Sequence, residues 1–214
     1  MFAWDIRNQI DREEIDYIGL KSLLGEYAYP RDKITQLLKA KILIRVKKGL
    51  YVFGREYAKQ PYSKEVLANL IYGPSAVSLA YALAFYQLIP EQVNTVTSIT
   101  NKRAKYFKTP VGDFTYTYLS IHKYDIGLTQ MQLSKSQFIL IATPEKALAD
   151  QLLLTKPKLQ IDNEQEMEKY LLEDLRIDMS ALKKFNLTLM REIAHDYQSS
   201  NIDVLVNYIQ RIKK

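Results

Sequence analysis

At 214 residues and 47% hydrophobic content, the chain is long enough to bury a real core and comfortable for two domains. It has no cysteine, which removes disulfides, thiolate nucleophiles and Cys-ligated zinc together, and only two histidines, His122 and His195, both expected as surface or packing residues rather than ligands. Lys and Arg number 30 against 24 Asp and Glu, no apolar run approaches the roughly eighteen residues of a membrane span, and no basic start leads into an apolar signal segment, so a cytoplasmic protein is expected.

In chain order, Phe2, Trp4, Ile6 and Ile10 suggest a first helix that closes a small core. A second helix over residues 17–27 carries Ile18, Leu20, Leu23 and Leu24, and the stretch 25–29 breaks it. A third opens at Pro30, where a missing N–H costs nothing, and places Ile34, Leu37 and Leu38 on one stripe. Lys33, Gln36 and Lys39 then point outward, with Arg31 and Thr35 near the flanks.

The period changes at residue 42, where β-branched and aromatic residues surround Lys47-Lys48-Gly49 and predict a hairpin with Lys47 and Lys48 at its tip. From residue 31 to residue 55 there are 8 basic residues and 1 acid, Asp32, so positive charge gathers where a helix meets a turn. That is the layout of a winged helix-turn-helix facing a phosphate backbone. The other reading is a solvated charged helix beside an ordinary surface hairpin.

A boundary is expected over residues 58–62, giving a DNA-binding domain over 1–57 and an α+β regulatory domain over 63–214 with a helical C-terminus. Ser63 is a candidate N-cap for a helix over 64–72, and a further helix over 78–88 stops before Pro90. Strands are expected over 93–100, 114–121 and 137–142, and Thr143-Pro144-Glu145 opens another helix. The end of the chain reads as helical over 163–172, 179–185, 187–197 and 202–212. Residues 1–125 hold the whole net charge of +6, since residues 126–214 carry 12 basic and 12 acidic side chains.

Chemistry-bearing motifs are sparse: there is no Gly-rich phosphate loop, no Gly-x-Ser-x-Gly elbow and no His-Glu-x-x-His pair. Neither a cofactor nor a metal is expected, and the chain does not read as an enzyme. The competing class is a DNA-targeted nuclease or nucleotide-handling enzyme, with Asp113, Glu145 and Lys146 around a divalent ion. Glu145 as a helix-start acid with Lys146 as its exposed neighbour is the preferred account. Lys102, Arg103, Lys105 and Lys108, mixed with Tyr106 and Phe107, either extend a polyanion-binding surface or form a solvated loop. Phe114, Tyr116 and Tyr118 could make a base-stacking platform, but sheet core is preferred.

The succession of the helix and hairpin, Gly73-Pro-Ser-Ala-Val-Ser-Leu-Ala-Tyr-Ala-Leu83 with Gln87-Leu-Ile-Pro-Glu91, Val96-Thr-Ser-Ile-Thr-Asn-Lys-Arg103 and Ile141-Ala-Thr-Pro-Glu-Lys-Ala-Leu-Ala-Asp150 resembles the AbiEi-type antitoxins of abortive-infection (type IV) toxin–antitoxin systems. The resemblance covers about residues 15–155 and thins beyond. It implies a repressor of its own operon that binds inverted repeats in promoter DNA, cooperatively or as a dimer. It also implies a C-terminal domain that counters a nucleotidyltransferase-like toxin without a stable complex. Matched to the family's winged helix, the DNA contacts fall on Arg31, Lys33, Gln36, Lys39, Lys47 and Lys48, with Thr35 and Arg45 beside them.

Overall fold

The computed structural model describes residues 3–25, 27–135, 137–155 and 160–213, which form an α+β chain with two sheets. The first 57 residues hold α1 (Ala3–Asn8), β1 (Glu14–Asp16), α2 (Tyr17–Leu23), α3 (Pro30–Lys39), β2 (Leu43–Lys47) and β3 (Leu50–Phe53). β3 lies between β1 and β2 and is antiparallel to both. In α1, Ile6 is buried while Trp4 is 52% exposed and leans on the Tyr57 ring 5.3 Å away, so Trp4 does not close the core as expected. Phe2 lies outside the described residues.

Asp16 starts α2 by accepting a hydrogen bond from the Gly19 N–H at 2.7 Å. Leu20 and Leu24 enter the core, whereas Ile18, expected inside, is 77% exposed because it falls on the opposite side of the helix. Pro30 opens α3, Ile34 and Leu37 are buried, and Leu38 is half-buried. The hairpin turns at Lys48 and Gly49, where Gly49 takes a φ of +85° that a side-chain-bearing residue would resist.

The rest of the chain contains α4 (Lys64–Ile71), β4 (Ala76–Val77), α5 (Leu79–Phe85), β5 (Val96–Thr100), β6 (Lys105–Thr109), β7 (Gly112–Tyr118), α6 (Ile121–Asp125), β8 (Leu128–Ser134) and β9 (Gln137–Ala142). α7 (Pro144–Leu154), α8 (Glu164–Lys169), α9 (Met179–Leu182), α10 (Leu187–Tyr197) and α11 (Ser200–Ile212) follow, and α8 runs into a π-helical turn, Tyr170–Asp174. The strands form a six-stranded sheet in the order β6-β7-β5-β4-β9-β8, with β5/β7 and β4/β9 parallel and the other pairs antiparallel. Ser63 caps α4, as expected, by accepting from the Val66 N–H at 3.1 Å. The segment from Lys105 is the edge strand β6 rather than a loop, and Ile121 begins α6 rather than ending β7.

Two hydrophobic cores meet across the hairpin. Leu43, Tyr51 and Phe53 face the small core with Ile6, Leu20, Leu24, Ile34 and Leu37, while Val46, Leu50 and Val52 belong to the large core beneath the six-stranded sheet. Every residue of β3 is therefore buried, and that strand is covered on both faces. Two buried carboxylates hold the connection. Glu13 accepts from the Lys59 and Gln60 N–H groups at 3.1 Å each and pairs with Arg7, whose Nε donates to the Tyr57 carbonyl at 2.8 Å. Glu14 accepts from the Ser63 N–H at 2.9 Å and from Gln137 Nε2 of β9 at 3.2 Å. No helix among the described residues is long and apolar enough to cross a membrane.

Candidate functional site

A groove of about 800 Å³ runs between α3 and the hairpin, floored by Ile34 and Tyr51. Arg31 and Thr35 project into it from one face of α3, Arg45 from β2, Lys48 from the turn and Tyr17 from the start of α2. The turn itself is tied down, because the Tyr17 N–H donates to the Gly49 carbonyl at 2.8 Å. Arg31 Nε donates to the Tyr17 hydroxyl at 3.3 Å, and that hydrogen bond draws the tyrosine pKa below its ordinary value. Thr35 spends its hydroxyl proton on the Arg31 carbonyl at 3.0 Å. Among the described residues, no acidic side chain lines the groove and neither Arg31, Arg45 nor Lys48 forms an ion pair. A concave surface with like charges and no counterion focuses its field outward and attracts anions.

The structure thus gathers four of the residues expected to touch DNA: Arg31, Thr35, Arg45 and Lys48. Gln36 and Lys39 are exposed on α3 outside the groove lining, and Lys33 is half-buried with its ammonium 5.1 Å from the Tyr27 ring. Tyr17 went unnoticed in the sequence because it sits 14 residues from Arg31 and no periodic pattern links the two.

Lys47 does not stand at the hairpin tip. Its ammonium turns back to the carbonyl of Ile71, at the end of α4, where helix carbonyls lack intrahelical donors. Burial, with the charge of Lys105 added, lowers its pKa. Lys102 serves the same helix end by donating to the Gly73 carbonyl at 2.7 Å, and Lys105 rests 4.7 Å from the Tyr72 ring. Lys47, Lys102 and Lys105 therefore surround one helix terminus, while Arg103 and Lys108 are exposed.

The segment 142–150 acquires a structural role. Lys146, expected as an exposed neighbour of Glu145, is completely buried. It packs there because its ammonium spends its donors inside, on the Lys123 carbonyl at 2.6 Å, the Tyr197 hydroxyl at 2.6 Å and Asp150 Oδ1 at 3.3 Å. Ser78 donates to Asp150 Oδ2 at 2.6 Å, and Tyr197 also hydrogen-bonds Asp150. Burial pushes the Asp150 pKa up and the Lys146 pKa down, while the attraction between the two opposes both shifts. Gly127, at φ +70°, makes room, since a Cβ there would lie 2.9 Å from that of Lys146.

Asp113 and Glu145 are engaged apart from each other: Asp113 accepts from the Tyr106 hydroxyl at 2.7 Å, and Glu145 accepts from the Asn186 N–H at 2.8 Å. Among the described residues, no three His, Cys, Asp or Glu side chains converge to hold a metal ion. Phe114 and Tyr116 are sheet core, and only Tyr118 of that stripe is exposed. His122 and His195 are both on the surface.

Compared with models of protein families and with curated proteins, the chain matches none.

Proposed function

We propose that this chain is a cytoplasmic DNA-binding repressor, with residues 1–57 acting as a winged helix-turn-helix on double-stranded DNA. The observation that carries the reading is the groove in which Arg31, Arg45 and Lys48 stand without counterions among the described residues, between a helix and a hairpin turn. The element order and the β1-β3-β2 sheet agree with it, because that arrangement leaves α3 free to enter a major groove while the turn reaches the flanking backbone. Arg31, Arg45 and Lys48 supply phosphate contacts with Thr35 beside them in the groove, Gln36 on the exposed face of α3 reads base edges, and Lys33 and Lys39 lie along the same helix. Arg103 and Lys108 extend the basic surface, with Lys102 and Lys105 held at the end of α4 as its inner part.

One such module makes few contacts, so two copies on an inverted repeat, bound cooperatively or as a dimer, bring affinity to roughly 10⁻⁸ M. The resemblance to AbiEi-type antitoxins adds the second half of the proposal: residues 63–214 counter a nucleotidyltransferase-like toxin without forming a stable complex with it. The activity is binding and not turnover.

Gel-shift titration on the DNA upstream of the chain's own coding sequence, against a scrambled duplex, tests the reading. Specific retention is expected, and Gln36→Ala should bring operator affinity toward the scrambled value by about 1–3 kcal/mol. Equal affinity of the unaltered protein for both duplexes rejects sequence-specific repression. Failure to relieve growth arrest by the toxin of the adjacent gene rejects the antitoxin half.

A further inference from the structure

We infer that Tyr17 and Arg31 together seat one backbone phosphate of duplex DNA, making Tyr17 a contact and positioning residue of the groove. The inference rests on the DNA-binding reading above and adds to it a residue outside both the reading helix and the hairpin turn.

Arg31 Nε donates to the Tyr17 hydroxyl oxygen at 3.3 Å, and no acceptor among the described residues takes the hydroxyl's own proton. The tyrosine therefore presents a donor to the groove while fixing the guanidinium from behind. With Nε occupied, the two terminal nitrogens of Arg31 remain for a phosphate, and a fork held in place loses less rotamer freedom on binding than a free one. Tyr17 is itself anchored, since its N–H donates to Gly49 O at 2.8 Å and a Cβ at Gly49 would lie 3.8 Å from its own Cβ. The backbone from which the ring projects is thereby held against the turn that carries Lys48. Arg45 and Lys48 line the same groove, with no carboxylate among the described lining residues. A phosphate diester, whose single negative charge is shared by two acceptor oxygens, meets one hydroxyl donor and one fork, with two further cations along the same groove.

The test uses the full chain and a fluorescein-labelled mixed-sequence duplex of about 20 base pairs, two helical turns, because a phosphate contact is independent of sequence. Anisotropy is followed across a salt series. Arg31→Ala should lower the slope of log affinity against log salt by about 0.9. Tyr17→Phe removes no charge, so it should weaken binding by about tenfold while leaving the slope as it is. In the Arg31→Ala background, Tyr17→Phe should have a clearly smaller effect, the mark of two groups acting on one phosphate. Arg31 is exposed and Tyr17 is half-buried against the small core, and unchanged melting temperatures check that the variants fold.

A chain that fails to bind this duplex even at low salt overturns the DNA-binding reading and the inference with it. Binding that Tyr17→Phe and Arg31→Ala leave at the unaltered affinity and slope overturns the inference alone. Sodium phosphate at constant ionic strength should displace the duplex no better than chloride. Displacement by phosphate that Arg31→Ala abolishes would assign the groove to the free ion and overturn the DNA placement.

Discussion

Lys146 and Asp150 stand one helical turn apart on α7, and each is fully buried. Their pairing is not itself evidence of large stabilisation, because taking both charges out of water offsets most of the attraction between them. Removing one partner is different, since the other charge is then left inside without compensation. Lys146→Met should cost about 3–5 kcal/mol in urea unfolding, as should Asp150→Leu, and the double variant should recover much of the loss. A single-variant loss under about 1 kcal/mol would reject the view that each charge is held inside by the other. In sequence, Glu145-Lys146 at a helix start is indistinguishable from a solvated pair. What buries the lysine is the arrival of Lys123 O and Tyr197 from segments 23 and 51 residues away.

At the level of elements, helices and strands with a strong period were legible. The amphipathic spacing of α3, the Ser63 cap of α4 and the alternation of β7 each act within a few residues of the chain. β1, β4 and β8 were not. β1 has three residues, two of them acids, and it pairs with β3 because Glu13 and Glu14 find donors on the connection at residues 59–63. β4 has two residues and is strung between β5 and β9.

The hairpin was legible as a hairpin, but the roles of its two lysines were not, because the C-terminus of α4 that captures Lys47 lies 24 residues away. The two should therefore separate experimentally. Lys48→Ala should lower the salt slope of duplex binding by about 0.9. Lys47→Ala should leave the slope nearly unchanged and cost about 1 kcal/mol of stability, as expected for a cation lost from a helix C-terminus. Equal slope changes for both would place Lys47 on the DNA.

At the scale of the whole molecule, the hairpin of β2 and β3 is shared between the two hydrophobic cores. Val46, Leu50 and Val52 face the large core, and each is 5% exposed or less. Cutting the chain after residue 57 would uncover all three, at about 1.5–3 kcal/mol per side chain. A piece of that size is marginal even with its core complete. Residues 1–57 alone should therefore give poorly dispersed amide spectra and no cooperative melt, and a cooperative melt matching that of the full chain's N-terminal residues would reject the shared hairpin.

Composition, the absence of cysteine, the helical and alternating periods and the gathering of charge over residues 31–55 were all properties of the sequence by itself, because each depends on residue type and on neighbours a few positions away. Which cations stand free in the groove and which are spent on helix ends, how Tyr17 meets Arg31, and how Lys146 is buried were decided only in three dimensions. Those outcomes depend on partners tens of residues distant, and short-range pattern carries no information about which of them will arrive.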